Sequence, residues 1–369
     1  MSVYTRALRP LLFLGEPETM HEAALGAARL LARLAPARAL VARATRVADP
    51  VLRAEVGGLR FDNPIGLAAG WDKSGVAVDG LAALGFGHVE VGSVSIDPSQ
   101  GNPGPRLFRL PRDRAVVVHY GLPNDGARVV AARLKRRRTR VPVGVNVVKT
   151  NRGPGAPQEP PDAFLDEYVR AVRLLQPVAD YLTLNLSCPN TENGRDFFCG
   201  DAAAIGALMR ALAAAPVSVP LFLKISPLGG APALDATLQA VADYRFVTGF
   251  IFNLAPGLGA DLVTPPAQLE ALPGSLAGRP VEARMNAAIR ELYRRMDRRR
   301  YRVIGAGGVF GPADAYRKIR LGASLVQILT GLVYEGPGLV RRINAGLAER
   351  LRRDGFSSVA DAVGVDALP

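Results

Sequence analysis

Residues 181–191 read Tyr-Leu-Thr-Leu-Asn-Leu-Ser-Cys-Pro-Asn-Thr, an apolar run that ends in polar side chains and a proline. Buried strands seldom end in a cluster of hydrogen-bonding groups unless something polar is held there. The thiol of Cys188 stands where a base could act, and Asn185 and Asn190 flank it. This stretch therefore predicts a buried strand whose carboxyl end holds a planar, amide-rich ligand.

Seven further short apolar runs alternate with helix-length segments from about residue 51 onward. Eight strands separated by helices indicate an α/β fold, a (β/α)₈ TIM barrel. A doubly wound sheet is the rival, but it rarely combines eight βα repeats with chemistry at so many strand ends. The predicted strands are Ile65–Ala68, His88–Ser93, Val143–Val148, Tyr181–Asn185, Leu221–Lys224, Gly249–Asn253, Val303–Gly305 and Leu325–Ile328.

The ends of these strands carry the polar and glycine residues that would meet at the carboxyl face of a barrel. Gly305-Ala306-Gly307-Gly308 follows the seventh strand and Thr330-Gly331 the eighth, where barrels commonly bind phosphate. Three of the five lysines, Lys73, Lys149 and Lys224, also lie at strand ends, which suggests chemistry. The Gly- and Pro-rich segment 255–280 is expected to be a loop over this face.

Residues 1–50 form a separate helical extension by composition, and residues 51–369 form the barrel. Thr19 to Leu34 predicts a helix that ends at Pro36, and Ala37 to Val47 predicts a second, shorter one. A basic amphipathic pair of this kind can lie on an anionic membrane surface, or it can pack on the main domain as a helical hairpin. The apolar face of the first helix is expected to consist of Ala23, Ala27, Leu30, Leu31 and Leu34.

Composition excludes several classes of protein. No run of about 18 apolar residues is present, so no membrane span is expected. The two cysteines, Cys188 and Cys199, make a disulfide framework improbable. The net charge of +13 comes largely from runs that precede strands, Lys135 to Arg140 and Arg294 to Arg302, which places them opposite the catalytic face. Nucleic acid is therefore not an expected partner.

The chain resembles the dihydroorotate dehydrogenase family from Tyr4 to Val363. The resemblance rests on the motif at 181–191, on Asn63 to Lys73, on Gly101 to Arg109, on Gly305 to Gly308 and on Gly322 to Ile328. It implies FMN as the cofactor, with Lys224 at the N1/O2 edge of the ring, where charge accumulates on reduction. The implied cofactor-binding residues are Ala69, Gly70, Lys73, Ser93, Asn146, Asn185, Lys224, Ala277, Gly278, Gly307, Gly308, Leu329 and Thr330.

The same resemblance implies that Cys188 is the catalytic base, on the face of the substrate opposite the flavin. It further implies the substrate-binding residues Lys73, Asn185, Asn190, Thr191 and Asn253. The soluble class of the family uses cysteine at the base position and the membrane-associated class uses serine. The extension of residues 1–50 resembles the membrane-associated class, so the features of this chain are mixed.

Two positions depart from the family pattern. Val118 stands where the family has an asparagine, and Leu254 follows Asn253 where the family has threonine or serine. A polar substrate atom buried against an aliphatic side chain costs about 1–3 kcal/mol. His119 is a candidate donor that would compensate at the first position.

The first hypothesis for function is oxidation of dihydroorotate to orotate in pyrimidine biosynthesis, with electrons passed from FMN to quinone. The protein would then lie in the cytoplasm, at the inner face of the cell membrane. One alternative is an FMN oxidoreductase of the same family that acts on another cyclic substrate, because of Val118 and Leu254. The other alternative is a flavoprotein without turnover that serves as a binding module.

Overall fold

The computed structural model describes residues 2–153, 155–157, 159–187, 201–259 and 261–368. In these residues the strands are β1 (Ala54–Val56), β2 (Leu59–Phe61), β3 (Ile65–Leu67), β4 (His88–Val94), β5 (Leu107–Leu110), β6 (Ala115–Val118), β7 (Val143–Val147), β8 (Tyr181–Asn185), β9 (Leu221–Ile225), β10 (Val247–Phe252), β11 (Ser275–Gly278), β12 (Arg302–Gly305) and β13 (Ala323–Ile328).

Helices surround these strands. They are α1 (Arg9–Leu12), α2 (Pro17–Arg33), α3 (Ala35–Thr45), α4 (Val78–Ala82), α5 (Ala127–Leu134), α6 (Pro161–Leu175), α7 (Ala202–Ala213), α8 (Gly230–Ala240), α9 (Pro266–Leu269), α10 (Glu282–Arg295), α11 (Pro312–Arg320), α12 (Thr330–Glu335) and α13 (Leu339–Arg353).

Eight of the strands close into a parallel barrel in the order β3-β4-β7-β8-β9-β10-β12-β13, and β13 pairs again with β3. The predicted TIM barrel is therefore confirmed, and each predicted strand lies in the barrel with ends shifted by no more than two residues. Apolar residues predominate in these strands because one face packs inside the barrel and the other against the helices.

The amino-terminal end of the barrel is closed by the hairpin of β1 and β2. Val56 and Phe61 of the hairpin pack in one cluster with Tyr181, Phe222 and Ile251 from the barrel interior. This closure leaves the carboxyl face, where the predicted site residues lie, as the open end of the barrel.

The segment 255–280 differs from the predicted loop. Its residues Ser275–Gly278 form β11, which pairs antiparallel with β6 in a three-stranded sheet with β5. The prediction was wrong at this strand because the glycines and prolines of the segment 255–280 are typical of loops. The strand forms through pairing with a distant part of the chain, which local sequence does not indicate. The sheet lies beside the site and places Val118 next to it, opposite Ser275.

The amino-terminal extension packs on the barrel as a layer without a core of its own, since no side chain in residues 2–50 is fully buried. Helix α2 approaches α4 closely at Gly80, where an added Cβ would lie 2.0 Å from the carbonyl oxygen of Ala28. The predicted end of the first helix is confirmed to within one residue, since α2 ends at Arg33. Pro36 itself lies in the first turn of α3, where its missing N–H costs nothing.

The inward face of α2 also differs from the predicted one. Leu31 and Ala27 line the cavity as expected, whereas Leu30 and Leu34 are 58% and 47% exposed, and Ala23 is exposed as well. The inner face is completed by Met20, Ala24 and Ala28. The helix therefore presents apolar residues on two sides, one toward the barrel and one toward solvent.

Candidate functional site

A cavity of about 530 Å³ extends from the carboxyl ends of the barrel strands to the inner face of α2. Its size lies within the range of pockets that bind small molecules and cofactors. Most of the residues that the sequence predicts for the site line this one cavity. They are Ala69, Gly70, Lys73, Ser93, Asn185, Lys224, Asn253, Ala277, Gly278, Gly307, Gly308, Leu329 and Thr330.

The glycine turn after β12 has a backbone that requires glycine. Gly307 and Gly308 have φ angles of +86° and +75°, in the left-handed region that side chains disfavour. A Cβ on Gly308 would lie 2.4 Å from the Cβ of Glu282, at the start of α10. The turn therefore brings bare backbone to the cavity beside Thr330, as a phosphate site needs.

A chain of hydrogen bonds joins the polar side chains at the ends of β4, β7, β8 and β10. The hydroxyl of Ser93 donates to Asn146 Oδ1, and Asn185 Nδ2 donates to Ser93 Oγ at 3.1 Å. Asn253 Nδ2 donates to Asn185 Oδ1 at 2.8 Å. Asn146 is fully buried behind the cavity wall, so the structure places it behind the other three rather than against the ligand space.

Lys73 lies in the cavity wall with its Nζ 3.8 Å from the ring centroid of Tyr120. Burial lowers the pKa of Lys73 to about 8, although the carboxylate of Glu18 opposes the shift. Glu18 belongs to α2 and forms an ion pair with Arg106, whose Nε donates to it at 2.9 Å. The extension therefore contributes a charge close to the site.

Lys224, on β9, lies beside Asn185 in the barrel register and lines the cavity. The carbonyl oxygen of Lys224 accepts a hydrogen bond from Ser187 Oγ at 3.2 Å. This bond fixes the chain just after β8 against the neighbouring strand. The main chain of Lys224 is therefore fixed at the edge of the cavity that its residue lines.

The two departures from the family pattern both reach the site, because Val118 and Leu254 line the cavity. His119 is not among the residues that line the cavity, so it is not placed to compensate for Val118. Its Nε2 lies 3.1 Å from Asn102 Nδ2, and its main-chain N–H donates to the carbonyl oxygen of Arg106. The expected role for His119 is therefore not supported.

Lys149 is not part of the cavity lining, contrary to the suggestion from its strand-end position. Its Nζ forms an ion pair with Glu159 at 2.6 Å and lies 5.1 Å from the ring centroid of Phe164. Its position is explained by this pairing beyond the end of β7.

Cys188, Asn190 and Thr191 lie outside the described residues, as does Cys199. The strand that leads to them is well anchored, since the hydroxyl of Tyr168 donates to the carbonyl oxygen of Asn185 at 2.8 Å. The roles of these residues stay predictions from the sequence.

The end of the cavity nearest the extension is apolar and aromatic. His21 of α2 packs on Trp71, with ring centroids 5.2 Å apart. Burial, with the nearby charge of Lys73, lowers the pKa of His21 to about 3, so its ring is neutral. Arg109 reaches from β5 to the carbonyl oxygen of Leu12 at 3.0 Å and covers the ring of Phe13.

Two functional residues were missed from the sequence. The ring of Tyr120 lies beneath the ammonium group of Lys73, and the local sequence around Tyr120 does not indicate this contact. Glu90 lies fully buried in β4 and accepts four hydrogen bonds at the base of the amide chain. A signal existed for Glu90, since a carboxylate within an apolar strand requires buried donors.

Comparison with known proteins agrees with this geometry. The family profile for dihydroorotate dehydrogenase matches residues 51–351. The chain is 41% identical over 363 residues to dihydroorotate dehydrogenase (quinone) of Roseiflexus sp. strain RS-1, covering 97% of each chain. It is 41% identical over 365 residues to the protein of the same name from Rhodococcus erythropolis, covering 97% of this chain and 98% of that one. The crystal structure of the Eimeria tenella enzyme in complex with ferulenol is similar, with a TM-score of 0.77, 27% identity and 96% of each chain covered.

Proposed function

The chain belongs to the dihydroorotate dehydrogenase family, and on this premise we propose that it oxidises dihydroorotate to orotate, with FMN as cofactor and a quinone as electron acceptor. One observation carries the proposal. A single cavity joins a polar array at the barrel end to an apolar passage under α2. The polar end suits a pyrimidine and the apolar end suits a quinone, so oxidation of dihydroorotate and reduction of quinone could both occur at this cavity.

The residues present fit FMN. The glycine turn at Gly307 and Gly308 suits a phosphate, because added side chains would fill the space it leaves. Gly70, with a φ of +110°, offers a flat backbone surface where a ring system can approach. FMN, when bound, supplies the hydride acceptor for oxidation of a carbon–carbon single bond.

The side chains of the cavity divide the remaining work. The ammonium group of Lys73 lies near the carboxylate of the substrate, and Asn185 and Asn253 orient the substrate ring by hydrogen bonds. Lys224 stabilises negative charge at the cofactor edge. Cys188 removes the proton from one substrate carbon while hydride leaves the neighbouring carbon, so one double bond forms. Asn190 and Thr191 complete the substrate contacts.

The pKa of Lys73 predicts the pH dependence of ligand binding. The amine is cationic below about pH 8 and neutral above it, so affinity for the orotate anion should fall as pH rises through this value. We expect the Kd for orotate to rise by up to about tenfold per pH unit above pH 8. Absorbance titrations of the oxidised flavoprotein between about pH 6.5 and 9.5 would measure it.

A variant supplies the control for this prediction. Lys73→Gln carries no charge at any pH, so its orotate affinity should be low and should lack the slope. An identical slope in Lys73→Gln would assign the titration to another group.

Electron transfer to quinone is supported by the character of the passage. The side chains that line it near the extension are largely apolar, and the extension itself forms one wall. They include Tyr4, Leu12, Phe13, Met20, Ala24, Ala27 and Leu31. Anaerobic turnover with dihydroorotate should therefore be sustained by a short-chain quinone and not by NAD⁺. Turnover sustained by NAD⁺ alone would reject the quinone part of the proposal.

The outer surface of the extension suits contact with a membrane. In the part of the chain that the structure describes, no helix is long and apolar enough to cross a bilayer. Large apolar side chains are nevertheless exposed on the extension, at Leu11 (66%), Leu14 (85%) and Leu40 (70%). Arginines accompany them, so the surface combines apolar and cationic groups. We therefore place the protein at the cytoplasmic face of the cell membrane, where quinone is available.

Two substitutions test this placement. Leu11→Glu with Leu14→Glu should weaken sedimentation with vesicles of anionic lipid by about 30-fold or more, because two leucines no longer enter the interface. Neither residue lines the cavity, so turnover with a soluble quinone should persist. The control is Val365→Glu, a partly exposed apolar position in the carboxyl-terminal segment. Equal loss of vesicle binding in the control would contradict the placement.

A second candidate function rests on Val118 and Leu254, which both line the cavity. An oxidoreductase for a less polar cyclic substrate would carry aliphatic residues at these places. Val118→Asn separates the candidates. If dihydroorotate is the substrate, we expect kcat/KM to change by less than about threefold, and a gain of about tenfold or more would favour the second candidate.

A further inference from the structure

Glu90 occupies the interior of the barrel, beneath the site and outside it. Its side chain is fully buried and accepts hydrogen bonds from four neutral donors. Asn146 Nδ2 donates to Oε1 at 3.0 Å, and Gln327 Nε2 donates to Oε2 at 2.8 Å. The hydroxyls of Tyr181 and Thr183 donate to Oε2, each at 3.2 Å. Three of the donors converge on Oε2 and one reaches Oε1, so both oxygens of the carboxylate act as acceptors.

Tyr181 supports this assignment of donors and acceptors. Burial and the nearby carboxylate of Glu90 raise the pKa of Tyr181 well above its usual value, so its hydroxyl keeps its proton. The tyrosine therefore donates to Glu90 across the physiological pH range, and Glu90 acts as the acceptor.

Because Glu90 acts only as an acceptor, it sets the direction of the hydrogen bonds made by Asn146, Ser93 and Asn185. Asn146 must turn its amide nitrogen toward Glu90, so its oxygen accepts the hydroxyl of Ser93. The oxygen of Ser93 then accepts from Asn185 Nδ2. The oxygen of Asn185 in turn accepts from Asn253 Nδ2, and the main-chain N–H of Leu254, which donates to Asn253 Oδ1, holds Asn253 in the matching orientation.

The direction of these hydrogen bonds matters at Asn185 and Asn253, where the hydrogen-bonded side chains reach the cavity. An amide nitrogen carries two hydrogens, and the chain uses one from Asn185 and one from Asn253. Both residues line the cavity, so their second hydrogens can serve a ligand. A wall of donors selects a ligand edge rich in carbonyl or carboxylate oxygens, whereas a wall of amide oxygens would repel it.

We propose that Glu90 is a positioning residue, which fixes the hydrogen-bond direction of Asn146, Ser93 and Asn185 and so keeps the amide nitrogen of Asn185 available as a hydrogen-bond donor to the substrate. This inference rests on the proposed function, because orotate is the ligand whose oxygens the wall would meet. Glu90 acts through the amides and touches neither substrate nor cofactor.

The isosteric variant Glu90→Gln should reverse the direction of the hydrogen bonds that lead from residue 90 to the cavity. The three donors Tyr181, Thr183 and Gln327 hold the new amide oxygen at the position of Oε2. The new NH₂ group then faces Asn146, which must flip to present its oxygen. The flip passes through Ser93 to Asn185, which then presents its oxygen where its nitrogen stood. Asn253 does not follow without loss, because its Oδ1 accepts from the main-chain N–H of Leu254 at 2.9 Å, so the variant loses one hydrogen bond at the end of the chain of amides.

Orotate binding to the oxidised flavoprotein measures this reversal without turnover. Perturbation of the flavin absorbance gives the Kd, and flavin content and thermal unfolding are recorded beside it. For Glu90→Gln we expect orotate to bind about tenfold more weakly or worse, because the donor of Asn185 has become an acceptor.

The double variant Glu90→Gln with Asn146→Asp provides the rescue. Aspartate at 146 accepts from the new glutamine and from Ser93, which restores the original direction along the rest of the chain. We expect it to bring the Kd back to within about threefold of the parent. The control is Thr183→Val, which removes one donor to Glu90 and leaves the direction intact, so stability should fall while the Kd stays within about threefold.

The outcomes separate the inference from the proposed function. A parent protein that does not bind orotate refutes the proposed function. Glu90→Gln binding as tightly as the parent, or Thr183→Val binding as weakly as Glu90→Gln, refutes the inference. If Glu90→Gln yields no folded protein, a double variant that folds and binds orotate supports the inference, and one that also fails overturns it.

Discussion

Replacing Cys188 with alanine is expected to slow reduction of the flavin by dihydroorotate by about 10²–10⁴-fold, the usual contribution of a general base. The reason is chemical. The double bond forms only if a proton is removed from the carbon beside the one that loses hydride, and the thiol of Cys188, with a reference pKa of about 8.5, is the predicted base. Stopped-flow absorbance under anaerobic conditions measures this rate.

Cys199→Ala is the matched control, since it removes the other cysteine of the chain. It should reduce its flavin at the rate of the parent. Both variants should retain FMN and bind orotate, because neither loses a predicted FMN contact. A Cys188→Ala protein with the parent rate would show that another group takes the proton.

Replacing Gly308 with alanine should abolish or strongly weaken FMN binding. The residue has a φ of +75°, and its new Cβ would lie 2.7 Å from the Cα of Glu282. Glu282 cannot easily move, because Arg279 and Arg317 both form ion pairs with its carboxylate. Backbone strain and overpacking together cost about 2–5 kcal/mol, roughly 30-fold to several thousandfold in FMN affinity.

The flavin-to-protein ratio after purification and the Kd of the apoprotein for FMN check this expectation. Gly355→Ala is a suitable control, because Gly355 has a φ of +82° but nothing lies within 4 Å of its added Cβ. It should lose a little stability and keep its flavin. Full flavin content in Gly308→Ala would mean that the glycine turn is not the phosphate site.

The barrel could be predicted from the sequence because its strands are local signals. The run Tyr181–Asn185 matches β8 at both ends, and Gly249–Asn253 misses only the first two residues of β10. The site followed from the fold, since the ends of parallel strands meet at one face. The polar residues at those ends could therefore be grouped without knowledge of their distances.

Features that depend on tertiary contacts could not be predicted. Strand β11 exists because it pairs with β6, more than a hundred residues earlier in the chain. The ring of Tyr120 reaches Lys73 through the three-stranded sheet and its following loop, which no local pattern encodes. The apolar residues of α2 serve two surfaces, so the periodicity alone did not identify the face toward the barrel.

The division of the chain at residue 50 stays a prediction, with one physical observation beside it. Burial begins with Val51 and Leu52, and the extension before them has no fully buried side chain. The extension therefore depends on the barrel for its structure. The extension forms one wall of the passage and carries the outer apolar surface.

Oxidation of dihydroorotate is tested most directly by an anaerobic titration of the purified flavoprotein with dihydroorotate, following the absorbance of the oxidised flavin. We expect rapid and complete bleaching at modest concentrations of dihydroorotate, and return of the absorbance when a quinone is added. A protein that dithionite bleaches but dihydroorotate does not would contradict this expectation, and would direct attention to the less polar substrates that Val118 and Leu254 favour.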